Sequence, residues 1–190
     1  MSARPSTKLL VAAAVILAVA SLSGSRSAVT TATTASTSPY RGSTHLTAYA
    51  DNDGPTETII LTGTIGDYGK AVSIYPDGTI DPDHDSELSL QLSHGTFRLD
   101  IATLDKAFVQ AISSRFPTDP ATCSGSVTVT RQVPVIAGSG TGAYERVGGS
   151  FMLTATLDEV DEVSAAQPCD GTGAFLSQAI IMSGPGFVTF

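Results

Sequence analysis

The sequence predicts a mainly β domain: an antiparallel β-barrel carrying one short helix, with a β-sandwich as the alternative architecture. Three observations lead there. Apolar and polar residues alternate with a period of two along seven or eight segments beyond residue 55, Gly, Asp and Pro clusters separate those segments, and one stretch near residue 104 shifts to a helical period. Because strands do not alternate regularly with helices, a parallel α/β sheet is disfavoured. A chain of 190 residues, 42% hydrophobic and 15% charged, has room for one such domain and a tail.

In chain order, the first segment lies outside that domain. Arg4 and Lys8 precede an uncharged run from Leu9 to Leu22, and Ala18-Val19-Ala20 supplies a small-x-small cleavage site, so residues 1–20 read as a signal peptide. The run is roughly 14 residues, short of the ~20 that span a ~30 Å hydrocarbon core, which leaves a retained anchor as the lesser alternative. No Cys follows the run to carry a lipid. The expectation is a secreted protein without a stable membrane anchor after cleavage. Residues 21–55, Ser/Thr/Ala-rich as in Thr30-Thr31-Ala32-Thr33-Thr34-Ala35-Ser36-Thr37, read as a disordered linker, since so few large apolar side chains do not offset the entropy of ordering. O-glycosylation is the alternative to a plain spacer. The lone Asn52 is followed by Asp53-Gly54, so no N-x-Ser/Thr sequon exists.

The domain proper is assigned to residues 56–190. Leu88-Ser89-Leu90-Gln91-Leu92-Ser93 and Phe97-Arg98-Leu99-Asp100-Ile101, joined through His94-Gly95-Thr96, form a hairpin with one apolar face. Similar runs cover Thr58 to Ile65, Ala71 to Tyr75, Ser126 to Ile136, Ser150 to Leu157, Ala174 to Met182 and Gly186 to Phe190. Between them, Leu104, Ala107, Phe108, Ala111 and Ile112 make a helical stripe, with Thr103 as expected N-cap and Pro117 as stop. Cys123 and Cys169, the only cysteines, each border a predicted strand and are expected to pair, closing a loop of ~45 residues; two separate buried thiols are the alternative.

Charge removes one class of partner. Eighteen acids against ten bases give a net charge of −8, and removal of residues 1–20 takes two bases and brings it to −10, leaving no basic surface to bind nucleic acid.

Gly138-Ser139-Gly140-Thr141-Gly142-Ala143 follows a predicted strand and matches the G-x-G-x-x-A form of a dinucleotide loop. A Rossmann turn must open a helix, whereas here Gly148-Gly149 and a strand-like Phe151 to Leu157 follow, so a Gly-rich hairpin connection with Tyr144 packed over its base is preferred. The string Gly140-Thr141-Gly142-Ala143-Tyr144-Glu145-Arg146-Val147-Gly148-Gly149-Ser150, set between two long strands, resembles the G-T-G-x-[FY]-x-x-[AV]-x-G hairpin of allene oxide cyclase-like and dirigent-like β-barrels, and is similar to exported actinobacterial proteins of unknown function. The resemblance covers residues ~124–157. It implies a calycin or allene oxide cyclase-like barrel in the extracellular or cell-envelope space of a bacterium, in a family whose plant members are cyclases or hold an apolar intermediate inside the barrel. Outside the hairpin no motif matches, so no catalytic residue is carried over. A shorter echo, Gly171-Thr172-Gly173-Ala174-Phe175, reads as reused turn chemistry.

Asp81, Asp83 and Asp85 alternate like the opening of a calcium loop, but Ser86 replaces the turn Gly and Leu92 occupies the twelfth position, which excludes an EF-hand and leaves a weak surface calcium site against a solvated turn. Asp158-Glu159-Val160-Asp161-Glu162 reads as a solvated strand end. His45, His84 and His94 have no metal-ligand spacing, there is no G-x-S-x-G elbow, and a Ser-His-Asp triad built on His94 is left to geometry.

The function expected from these readings is that of a non-enzymatic interaction module or binder of a small apolar ligand, with a cyclase or isomerase as the alternative and no cofactor. A small apolar molecule or an extracellular protein is the expected partner. Leu88, Leu90, Phe97, Leu99, Phe151 and Leu153 are the inward positions expected either to fill the barrel or to line its cavity.

Overall fold

The computed structural model describes residues 41–51, 54–163, 169 and 174–190. The expected signal peptide, residues 21–40 of the expected linker, and the Gly171-Thr172-Gly173 echo lie outside them. Eight antiparallel strands form one curled, barrel-like sheet: β1 (Arg41–Ala50), β2 (Thr56–Gly63), β3 (Asp67–Ile74), β4 (Glu87–Leu92), β5 (Gly95–Asp100), β6 (Ser124–Pro134), β7 (Gly148–Asp161) and β8 (Phe175–Thr189), in the order β5-β4-β3-β2-β1-β8-β7-β6. Helix α1 (Ala102–Arg115) follows β5, and a 3-10 turn, Gly142–Tyr144, lies in the connection from β6 to β7.

Residues 41–50 correct the linker assignment. β1 lies at the centre of the sheet, paired with β2 and β8 along its length. Its composition resembles a spacer, but Thr44, Leu46, Ala48 and Ala50 alternate inward and are buried, while the intervening polar residues face out. Thr44 behaves as a core residue because its hydroxyl is saturated: it donates to the Thr62 carbonyl (2.9 Å) and accepts the Ile65 N–H (3.1 Å). The two C-terminal runs expected as separate strands are one, β8, which continues through Gly184-Pro185. A Cβ on Gly184 would strike the Met152 carbonyl, so glycine is what allows β7 and β8 to approach there. Pro185 has no N–H to donate, and the β7–β8 ladder skips from Phe151↔Gly186 to Thr154↔Ser183.

The helix also differs in detail. Ile101, not Thr103, occupies the N-cap, without a side-chain cap bond of its own; the Asp100 carboxylate accepts the Ala102 N–H (3.2 Å) instead. Leu104 and Ala111 of the predicted stripe are buried and Phe108 and Ile112 pack partly against the core.

The sheet curls until its two edges approach. Over the end of β6 they meet: Leu99 bridges Val135, the Ile136 N–H donates to the Arg98 carbonyl (2.9 Å) and the Thr141 N–H to the Thr96 carbonyl (2.8 Å). β5 has only six residues against the eleven of β6, so the first half of β6 has no strand partner on that side. α1 packs there instead, with Ala111 and Phe116 against Val127. The closed end is filled by Phe97, Phe151, Val188 and Tyr144; the Tyr144 ring stands edge-on to Phe97 at 5.5 Å and tilted against Phe190 at 5.9 Å. Tyr144 thus packs over the base of the connection as its position in the Gly-rich string suggests.

A buried carboxylate ties this end together. Asp67 accepts hydrogen bonds from the Tyr144 hydroxyl (2.6 Å), the Ser93 hydroxyl, the His94 ring and the backbone N–H groups of Tyr68, Ser93 and His94. Burial alone would raise its pKa, but the donors outweigh burial and hold the carboxyl below the ordinary aspartate range. Cys123 and Cys169 form a disulfide, Cα atoms 5.3 Å apart, that joins the start of β6 to the segment before β8.

Two outcomes follow. Replacing both cysteines by Ser is expected to lower stability by roughly 2–4 kcal/mol in urea unfolding; an unchanged midpoint contradicts the bridge. Asp67→Asn is expected to lose about 1–3 kcal/mol at pH 7. A depressed carboxyl stabilises the fold above its unfolded pKa and ceases to do so as pH falls through the folded value, so the deficit of Asp67→Asn should shrink on acidification below pH 4.

Candidate functional site

All six residues expected to fill or line the barrel are in the core and no more than 1% exposed. Leu90, Phe97, Leu99, Phe151 and Leu153 fill the interior; Leu88 alone of the six lines a cavity. The barrel is therefore packed at one end and hollow at the other. The hollow part, about 290 Å³, lies between α1 and the concave face of the sheet, where α1 stands off from the strands. Leu88, Leu104, Phe108, Leu157, Ile180 and Met182 make its apolar walls.

Six polar side chains interrupt those walls: Glu57, Asp105, Gln178 and His84, with Ser73 and Asp83 beside His84. Glu57 stands on β2 in phase with the buried Ile59 and Leu61, so the pleat carries its carboxylate inward. Its Oε2 is buried and has no hydrogen-bond partner among the described residues. Burial raises the Glu57 pKa above the ordinary glutamate value, with the nearby His84 opposing it. Asp105, in the first turn of α1, is pushed up to about 6, first by burial and then by the Asp85 and Asp81 charges, while His84 pulls the other way. Gln178, on β8 in phase with Ile180 and Met182, donates through Nε2 to the Glu159 carboxylate, and its Oε1 is buried without a partner among the described residues.

His84, the fourth, is placed by the acidic loop. Asp81 is fully buried and each oxygen takes two backbone N–H donors: Asp83 (2.9 Å) and His84 (3.1 Å) on Oδ1, Asp85 (3.0 Å) and Ser86 (3.2 Å) on Oδ2. This ring of donors outweighs the effect of burial, lowers the Asp81 pKa and holds His84 in the left-handed backbone region, φ 58°. The His84 ring reaches the cavity with Nδ1 2.9 Å from the Ser73 hydroxyl.

The same geometry corrects the calcium reading. Asp81 is turned into its own loop, Asp83 accepts from the Tyr75 hydroxyl and Asp85 from the Ser86 hydroxyl, so the three carboxylates do not converge. Among the described residues no three His, Cys, Asp or Glu side chains are grouped to hold a metal ion. The acidic run on β7 is not a simple solvated end either: Asp161 faces inward and is 3% exposed, its Oδ1 without a partner among the described residues. At His94, the Ser93 hydroxyl and the Asp67 carboxylate both meet Nδ1, at 3.0 and 3.1 Å. A triad needs Ser and Asp on opposite ring nitrogens, so this cluster is a structural latch. His45 lies on the outer face of β1, with Nε2 2.9 Å from the Ser183 hydroxyl.

Glu57, Asp105 and Gln178 are residues that sequence reasoning passed over, and His84 entered it only as a metal-ligand candidate. The signal was present for two of them: Glu57 and Gln178 occupy the same alternation as flanking core residues, and a polar residue in phase with an inward set marks either a strand end or a cavity. No such signal places His84, whose orientation depends on how Asp81 folds its own loop.

Asp105 gives a pH test. A carboxyl whose folded pKa is raised imposes no penalty below its unfolded pKa, and the penalty grows as pH rises from about 4 to about 6. Asp105→Asn is expected to stabilise the fold by about 1 kcal/mol at pH 7.5, allowing for solvent screening at a half-exposed site, and to give no gain at pH 4 in urea unfolding.

No family model matches the chain, and no curated protein or solved structure matches it either.

Proposed function

We propose that this chain is an exported, non-enzymatic binder of a small apolar ligand, held in the wedge between α1 and the curled sheet. The observation that carries the reading is the cavity itself: about 290 Å³ of space with walls of Leu, Ile, Phe and Met, at the end of a barrel whose other end is packed solid. That volume sits just below the lower end of the roughly 300–1,000 Å³ typical of small-molecule sites. The disulfide agrees with export to an oxidising compartment, and no helix among the described residues is long and apolar enough to cross a membrane. A cyclase or isomerase is the second reading, favoured by one observation: Glu57, Asp105 and His84, three groups able to exchange protons, share the cavity wall.

The binder reading is tested with N-phenyl-1-naphthylamine, an uncharged apolar fluorophore. Saturable one-to-one enhancement of its emission is expected. Two variants that project bulk into the cavity, Ala155→Phe and Ile180→Trp, should each weaken binding at least about tenfold while the far-ultraviolet circular dichroism of the sheet is kept. Absence of saturable binding, or full binding by both folded variants, would overturn the reading.

A further inference from the structure

Given that the cavity binds a small apolar molecule, as proposed above, its polar lining says which kind. We propose that the ligand carries a basic amine, and that its ammonium group is received by Glu57 and Asp105 while its apolar body lies against Leu104, Phe108, Ile180 and Met182.

Charge and hydrogen-bond complementarity both point this way. Glu57, Asp83 and Asp105 line the cavity, and among the described lining residues there is no Lys or Arg; His84 is the one basic side chain. The His84 Nδ1 is engaged with the Ser73 hydroxyl, and its backbone N–H with Asp81. The chain as a whole carries a net charge of −8. An anionic ligand entering the wedge would meet three carboxyl groups against the single His84 imidazole, which disfavours fatty acids and other carboxylates. A wholly apolar ligand would leave Glu57 as it stands, its Oε2 buried and without a donor among the described residues. An ammonium group supplies N–H donors and positive charge at once, and charge-assisted hydrogen bonds to carboxylate are the strong ones. Burial biases the Glu57 and Asp105 carboxyls toward the neutral form, and a cation at either one opposes that bias. The apolar walls then select an amine with a compact hydrocarbon body over a polar polyamine.

The test uses three probes with one hydrocarbon cage: 1-aminoadamantane, 1-adamantanol and 1-adamantanecarboxylic acid, titrated into the full folded domain at pH 7.5 with N-phenyl-1-naphthylamine displacement as readout. The amine is expected to bind at least about tenfold more tightly than the alcohol, and the acid more weakly than both. In Glu57→Gln with Asp105→Asn, the preference for amine over alcohol should fall below about threefold while the alcohol still binds. Any other order among the cages, including no binding by any of them, overturns the amine assignment, as does a full amine preference in the double variant. Saturable binding of the fluorophore separates the two failures: where it persists the cavity still binds apolar molecules and only the amine is lost, and where it is absent the binder reading falls as well.

Discussion

The fold depends on a mismatch of strand length. A sheet of eight antiparallel strands curls until its edges approach, but β5 has six residues and β6 eleven, so the edges join over only part of their length. Where they join, backbone hydrogen bonds close the barrel and aromatic side chains fill it. Where they do not, the chain has already turned into α1, and the helix covers the open half of β6. A helix is wider than a strand and cannot continue the pleat, so it stands off from the concave face. The cavity is the space left between them.

That space sets up a contrast between acids of the same type. Asp67 and Asp81 are buried, yet each is surrounded by N–H and O–H donors, and the donors outweigh the desolvation of the charge. Glu57 and Asp105 are burdened by burial without comparable donors, and their pKa values move the opposite way. The first pair is structural: Asp67 fastens β3 to the β4–β5 turn and to Tyr144, and Asp81 shapes the loop that aims His84. The second pair lines the hollow, and there the Glu57 Oε2 has no hydrogen-bond partner among the described residues. Counting donors, more than measuring depth, separates the two roles.

Much of this architecture is legible in the period of the side chains. Leu88-Ser89-Leu90-Gln91-Leu92 and the stripe from Leu104 to Ile112 state their own conformations, because burial on one face needs a residue every two or every three to four positions. β1 was obscured by composition: Thr44, Ala48 and Ala50 are small or hydroxylated, and only their partners on β2 and β8 make them core. The continuity of β8 was obscured by Gly184-Pro185, which reads as a break until the close approach of Met152 is known. The six apolar candidates were correctly placed inside, yet five are filling. Whether an inward residue fills or lines depends on what lies across the barrel from it, and that is fixed by the length of β5 and the placement of α1, which alternation does not encode. Asp81 shows the same limit at a smaller scale, since the spacing of three aspartates is shared by a cation site and by a loop that folds around one of them.

Glu57 is carried inward to a largely apolar wedge that buries its carboxyl oxygen Oε2. A carbon-detected nuclear magnetic resonance titration of the Glu57 side-chain carboxyl in the folded, ligand-free domain measures this most directly. A midpoint clearly above 4.5, the value of an ordinary glutamate, is the predicted result. A midpoint at or below that value would mean a hydrated or well-paired carboxylate, and would contradict the wedge.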